Sequence, residues 1–491
     1  MHFDTRKIIT TFAYTLVFVA LLMLPSLIYA SIYKDRASVS AFFIPATISL
    51  FVGFIILFLT RKSEYPLNTR NGYMCLIVAV FTAIIIGAVP YQISIHGSNF
   101  ANAIFESTAG FTTTTATVYG EPTLSKALLI WKTIQHWIGG AGILIFLVGY
   151  YPYITKGTER ISTIEGNKYQ INKVDAKLTS IIKKVLLVYT ALTIIAFMYY
   201  SFADTSIFEA FVLSLTSVCT SAVFTHPEGL AFYNSAYIEF GTVIFSILTS
   251  INFIVYLRLS LKHINIIFKN IEIRVFIIMI LGSSIIVTIA LLLNGNYGTN
   301  VPDVFLKSLV QVSSFATTSG FAIVDYTLWP SFCIFILIYL MFIGGCSAST
   351  TGSFKVIRVL VAFKLISRGI TKRIHPNAVA ALRLGYSNIS SKIVNAVIGF
   401  SFLYLATIFV SLIILSIQNL DMNSTFGATI GMLSNSGITI GDVGITGNYS
   451  MFYPFLQIFL SLLMIIGKIG VLSTLIFLLP SFWNPNKRKI I

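Results

Sequence analysis

Between two strongly apolar segments lies a stretch that cannot itself span a bilayer, FESTAGFTTTTAT from Phe105 to Thr117. It is polar and centred on Gly110, with counterparts read at Ala222 in SVCTSAVFTH, Gly320 in FATTSGFAIVDY and Gly437 in LSNSGITIGDVG. Successive centres are 112, 98 and 117 residues apart, so the interval is nearly constant while the identity is weak. Irregular backbone at membrane depth is tolerated only when buried in protein or lining an aqueous cavity. Four repeated loops most economically line one cavity, where main-chain carbonyls can stand in for the hydration shell of a permeating ion. Glycine at each turning point reaches dihedrals costly for other residues and keeps side chains off a crowded axis.

The elements that must position these loops are legible as apolar runs. With 491 residues, 56% of them hydrophobic and 10% charged, and a mean hydropathy of +0.86, the chain is far from the roughly 25% charge of soluble domains. It reads as a polytopic all-α membrane protein. Ten segments are long enough to span, near 9–30, 39–60, 72–95, 127–151, 185–203, 236–257, 275–293, 328–345, 394–417 and 451–480. Shorter apolar stretches at 100–109, 206–219, 302–317 and 423–434 suit re-entrant half-helices. A half-helix entering from outside turns its carboxyl end, with a partial negative charge, toward the membrane centre, which favours a cation there. The spacing predicts two leading helices (1–66) and four units of helix, half-helix, loop and helix, the M1-P-M2 order. Their bounds are 67–165, 166–268, 269–380 and 381–491. An even number of crossings per unit makes all four parallel, around one pseudo-fourfold pore.

Charge sets the orientation. Of 33 lysines and arginines, 27 fall on one side when loops are assigned alternately, including the basic loops 152–184 and 355–392. That side is cytoplasmic, with both termini. Eleven of 17 acids fall at or near the other face, where a negative mouth concentrates cations. The net charge of +16 does not indicate nucleic acid, because the basic residues punctuate apolar segments instead of clustering on a soluble face. Cys75, Cys219, Cys333 and Cys346 lie at no metal-ligand spacing. The uncharged run Ile8 to Ala30 exceeds a signal-peptide core of about 7–15 residues, which predicts a retained helix.

Two further features interrupt the apolar pattern. Gly344 to Gly352, GGCSASTTG, breaks the eighth span with small and hydroxylated residues. Lys468 lies deep in the tenth span, where a charge is expensive and faces a cavity or a partner. Lys132 and His136 are nearer the outer end and read as structural, snorkelling or hydrogen-bonded. The GGAG run at 139–142 reads as close helix packing. No carboxylate pair, metal cluster or activated nucleophile stands at membrane depth, so an enzyme is disfavoured. An alternating-access solute transporter would need inverted repeats or a deep polar site, and the repeats here run parallel.

These residues resemble the Trk/Ktr/HKT superfamily of potassium transporters, in particular its TrkH branch. FESTAGFTTTTATV, HWIGGAGI, THPEG, SGFAIVDY, GGCSASTTGSFKVIRVL, HPNAV at 375–379 and IGKIGVLSTLIFLLPSFW follow the branch motifs in order over essentially the whole chain. The resemblance implies potassium uptake through the cytoplasmic (inner) membrane of a prokaryote, with no cofactor in the chain itself. It also implies a homodimer, each protomer with its own pore, gated by a cytosolic nucleotide-binding ring of the RCK type, TrkA-like. Carried over by motif, the potassium filter comprises Thr108, Ala109 and Gly110, then Phe111; Thr220, Ser221 and Ala222, then Val223. From the later repeats it takes Thr318, Ser319 and Gly320, then Phe321; Asn435, Ser436 and Gly437, then Ile438. The gating elements are Gly344, Gly345, Ser347, Ser349, Thr350, Thr351 and Gly352, together with Lys468 where the family usually has arginine. Ala222 departs from the family's glycine, so either its dihedral changes or that quarter of the ring distorts, since a left-handed non-glycine costs about 1–2 kcal/mol. In plant relatives a serine in place of a filter glycine accompanies sodium permeation, which implies weakened discrimination here.

Overall fold

The computed structural model describes residues 3–60, 69–145, 178–257, 269–295, 300–377, 382–384, 387–445 and 447–483. Most of the basic loop at 152–184 and the carboxyl-terminal Lys487 to Lys489 lie outside the described residues. Helices α1 (Thr5–Ile32), α2 (Arg36–Leu59) and α3 (Thr69–Ser94) pack on one another. Asp4 and Asp35 cap the first two by accepting from Lys7 N and Ser38 N. Small residues such as Ala13, Ala20 and Ala46 face inward, while Phe51, Phe54 and Phe58 point out, the last 91% exposed, as suits an apolar solvent.

Three further helices lead units of their own, α6 (Leu178–Ser201), α10 (Ile271–Asn294) and α14 (Ser391–Leu415). Each, like α3, packs on the half-helix that follows it: α4 (Phe100–Phe111), α7 (Ile207–Cys219), α11 (Val301–Thr317) and α15 (Met422–Ser434). The half-helices start on strong signals. Asn99 accepts from Ala101 N and Asn102 N, Ser206 and Glu209 form a reciprocal capping box, Pro302 sits in the first turn of α11, and Asp421 accepts from Ser424 N.

The closing helices are α5 (Lys126–Ile145), α8 (Ala236–Ser250), α12 (Ser331–Ile343) and α16 (Pro454–Ile469). Each packs on its own half-helix and also on the next unit's: α5 on α7, α8 on α11, α12 on α15, and α16 back on α4. The contacts therefore close on themselves.

Among the described residues six helices are long and apolar enough to cross a membrane, or seven with one bent pair, against the ten spans expected. The shortfall lies in the closing helices. The run 236–257 breaks at Ile251, where Asn252 caps a new short helix α9 (Phe253–Tyr256) by accepting from Ile254 N. The run 328–345 stops at Ile343, because Gly344 at φ +73° ends it. The run 451–480 bends by 114° at Gly470, φ +98°. Beyond the loop after α12 runs α13 (Val356–Ile374), and a two-residue antiparallel ladder, Arg383–Leu384 with Ser387–Asn388, is a small exception to the all-helical expectation.

Candidate functional site

The four half-helices end on one shared hydrogen bond. The N–H groups of Thr114, Ser221, Ser319 and Ser436 donate to the carbonyls five residues back, Ala109, Thr216, Ser314 and Gly431, at 2.9, 3.0, 3.0 and 3.0 Å. The residue before each donor, Thr113, Thr220, Thr318 and Asn435, is left-handed, at φ 53, 54, 56 and 59°. These anchors put Thr115, Ala222, Gly320 and Gly437 in equivalent places. Unit one therefore corrects the sequence register by five residues. Thr108, Ala109 and Gly110 remain inside α4, and a methyl on Gly110 would meet the Gln135 side chain at 2.7 Å, so that glycine serves helix packing. The residue missed is Thr115, hidden because it is not glycine; the run of four threonines from Thr112 was the available signal.

Gly320 and Gly437 stand at φ +76 and +77°, whereas neither Thr115 nor Ala222 has a positive φ. Of the alternatives open for Ala222, the changed dihedral is the one found. All four third positions meet at Thr115. Its hydroxyl accepts from Ala222 N at 2.8 Å and donates to the Ser319 carbonyl at 2.7 Å. A methyl on Gly320 would lie 2.6 Å from Thr115 Cβ, and one on Gly437 only 2.0 Å from the Thr115 carbonyl oxygen.

The return strand of unit one is tied on both sides. Thr117 N donates to Gly447 O at 2.9 Å and Tyr449 N to Thr117 O at 2.8 Å. Behind it Lys132, wholly buried, pairs with Glu106 and Glu121 at 2.5 Å each and donates to the Ala116 carbonyl at 3.2 Å. Glu106 accepts from Val118 N, and Glu121 accepts from Phe224 N on unit two. Lys132 thus does not snorkel; it sits between two carboxylates and orients a loop carbonyl. His136 is buried and, among the described residues, neither ring nitrogen has a hydrogen-bond partner, contrary to the expected bond.

At the carboxyl ends of the half-helices lies the Gly344 to Gly352 loop, which meets three of the four left-handed residues directly and the fourth, Thr113, through Lys468. Thr220 Oγ1 donates to Thr350 Oγ1 at 3.0 Å, and Gly352 N to Thr318 Oγ1 at 3.3 Å. Lys468 Nζ donates to Thr350 O at 2.6 Å and to Thr113 Oγ1 at 2.5 Å. A methyl on Gly352 would lie 2.1 Å from Ser434 O and 2.8 Å from Asn435 Oδ1. The break after α8 supplies the loop's main-chain partners: Cys346 N to Ser250 O at 3.0 Å and Phe253 N to Ala348 O at 3.0 Å. Two side chains that the sequence reading passed over also hold it. Glu272 accepts from Ser347 N and Ser347 Oγ, and Lys355 donates to Thr351 Oγ1 and Ser349 Oγ. Among the described residues Lys468 has no carboxylate in ion-pair reach, so its buried amine is held by neutral oxygens.

Long apolar helices, half-helices that stop inside the protein and loops that converge there define a multi-pass membrane transport protein, not an enzyme. The chain belongs to the TrkH family of cation transport proteins, whose pattern matches residues 38–484. It is 30% identical over 478 residues to the Trk system potassium uptake protein TrkH of Salmonella typhimurium, covering 96% of this chain and 97% of that one. It is 27% identical over 470 residues to the Trk system potassium uptake protein TrkG of Escherichia coli, covering 95% and 96%. The crystal structure of the potassium transporter TrkH from Vibrio parahaemolyticus superimposes with a TM-score of 0.89 at 27% identity, covering 98% of this chain and all of that one.

Proposed function

We propose that this chain takes up potassium across the cytoplasmic membrane of a prokaryote through a channel-like pore, with both termini in the cytosol. The pore is formed by four M1-P-M2 units, 67–165, 166–268, 269–380 and 381–491, behind two leading helices. The ring runs through Thr113–Thr115, Thr220–Ala222, Thr318–Gly320 and Asn435–Gly437, where carbonyl oxygens replace the hydration shell of the transported ion. The observation that carries this reading is the identical carboxyl-terminal geometry of the four half-helices together with the convergence of their third residues on Thr115. The loop from Gly344 to Gly352 and Lys468 form the gate on the cytosolic side. The working assembly is a homodimer controlled by a TrkA-like, RCK-type nucleotide-binding ring.

A weakly selective variant of the same function is favoured by one feature: two of four third positions, Thr115 and Ala222, carry side chains and a different dihedral. Growth of potassium-uptake-deficient cells in limiting potassium, with and without a cytosolic partner and with sodium as competitor, tests both readings. Rescue that sodium suppresses is expected. Failure to rescue growth under every condition, by a chain shown to be in the membrane, rejects the potassium pathway.

A further inference from the structure

Thr115 lies against the third position of every other loop, its side chain against Ala222 and Gly320 and its main chain against Gly437. Its hydroxyl accepts a hydrogen bond from Ala222 N–H and donates one to the Ser319 carbonyl, so one small group joins unit two to unit three across the ring. Its Cβ stands where a methyl on Gly320 would collide, and its own carbonyl lies against Gly437. A carbonyl that accepts an O–H bond presents a positive hydrogen along the direction from which a cation would approach. In this arrangement the Ser319 oxygen and an entering cation compete for the same space.

We propose that Thr115 is a side-chain latch across the ion pathway, and that an ion passes only when its hydroxyl swings off the Ser319 carbonyl. The swing is a change of χ1 between staggered wells and needs no movement of the backbone. The latch rests on the potassium-pathway reading above and deepens it: a barrier within the ring itself, separate from the loop and Lys468 beneath it. The hydroxyl is what holds it. Serine keeps that hydroxyl; alanine and glycine do not.

The test is rubidium influx into proteoliposomes holding the full-length chain and its Thr115→Gly, Thr115→Ala and Thr115→Ser variants. Each is measured with Lys468 intact and with Lys468→Ala, so that the loop beneath does not limit the rate. With two hydrogen bonds released, influx is expected to rise about tenfold for glycine and for alanine, and to stay within about twofold of the parent for serine. Alanine guards against a glycine variant that fails to fold. Glycine and alanine variants that conduct like a conducting parent overturn the latch while leaving the pathway standing. A serine variant as leaky as glycine overturns the hydroxyl's part in it. Silence of every variant toward rubidium, potassium and sodium overturns the pathway and the latch together.

Discussion

A buried lysine between two buried glutamates can be satisfied only as a unit, and removing the cation leaves two desolvated carboxylates facing each other. Lys132→Met is therefore expected to cost about 3–5 kcal/mol, read as a lower midpoint of thermal unfolding in detergent, and to release the Ala116 carbonyl. An unchanged midpoint rejects the brace. Ala222 is a different kind of residue problem. Without a side chain it could adopt the positive φ of Gly320 and Gly437, turning its peptide as theirs are turned. Ala222→Gly is expected to raise the potassium-to-sodium flux ratio in liposomes, and an equal ratio sinks the link between that dihedral and selectivity. The sequence pointed to glycine as the mark of the proposed ring, and Gly320 and Gly437 both follow the shared anchor at positive φ. In unit one it pointed to Gly110, whose glycine answers to the close approach of Gln135, while the true equivalent is a threonine that only hydrogen-bond geometry exposes.

At the scale of elements, the half-helices were legible to within one or two residues because caps and a polar successor bound each of them. The breaks in α8, α12 and α16 were not all legible. A broken helix buried in protein keeps its apolar composition, so hydropathy runs straight through Ile251 and Gly470. The loop after α12 announced itself by its small residues, yet its hold on the break after α8 depends on tertiary contacts no spacing reveals. Lys468 ties that loop to Thr113 through two oxygens, and hydrogen bonds of this kind are worth about 0.5–1.5 kcal/mol each. Lys468→Ala is expected to raise basal flux without a partner by tenfold or so; flux at or below the parent counts against the gate. Gly352→Ala places a methyl 2.1 Å from a main-chain oxygen, and neither backbone can yield that far in place. The loop must leave its seat, so this variant is expected to leak in the same assay.

For the whole molecule, the decisive contact is the one between the last closing helix and the first half-helix. The closing helix α16 packs on α4, burying Leu456, Leu460 and Met464 with Phe105 and Ala109. Unit four meets the rest across three seams, α16 on α4, α15 on α12 and α14 on α13, the last burying Ile357 and Val361 with Ile393 and Val397, reinforced by the strand contacts of Thr117 with Gly447 and Tyr449. A fragment joined at three seams has more apolar area to bury than a tail hanging from one, and burial of that kind is roughly proportional to area. Chains 1–380 and 381–491, expressed together from separate reading frames, are accordingly expected to co-purify from the membrane. Leu460→Asp in the shorter fragment, placing a charge within the α4 seam, is expected to abolish co-purification, whereas Phe409→Asp on the exposed face of α14 tests insertion alone. Fragments that insert but never associate refute ring closure as the organising contact. Fragments that associate despite Leu460→Asp place the holding energy at the α12 and α13 seams instead.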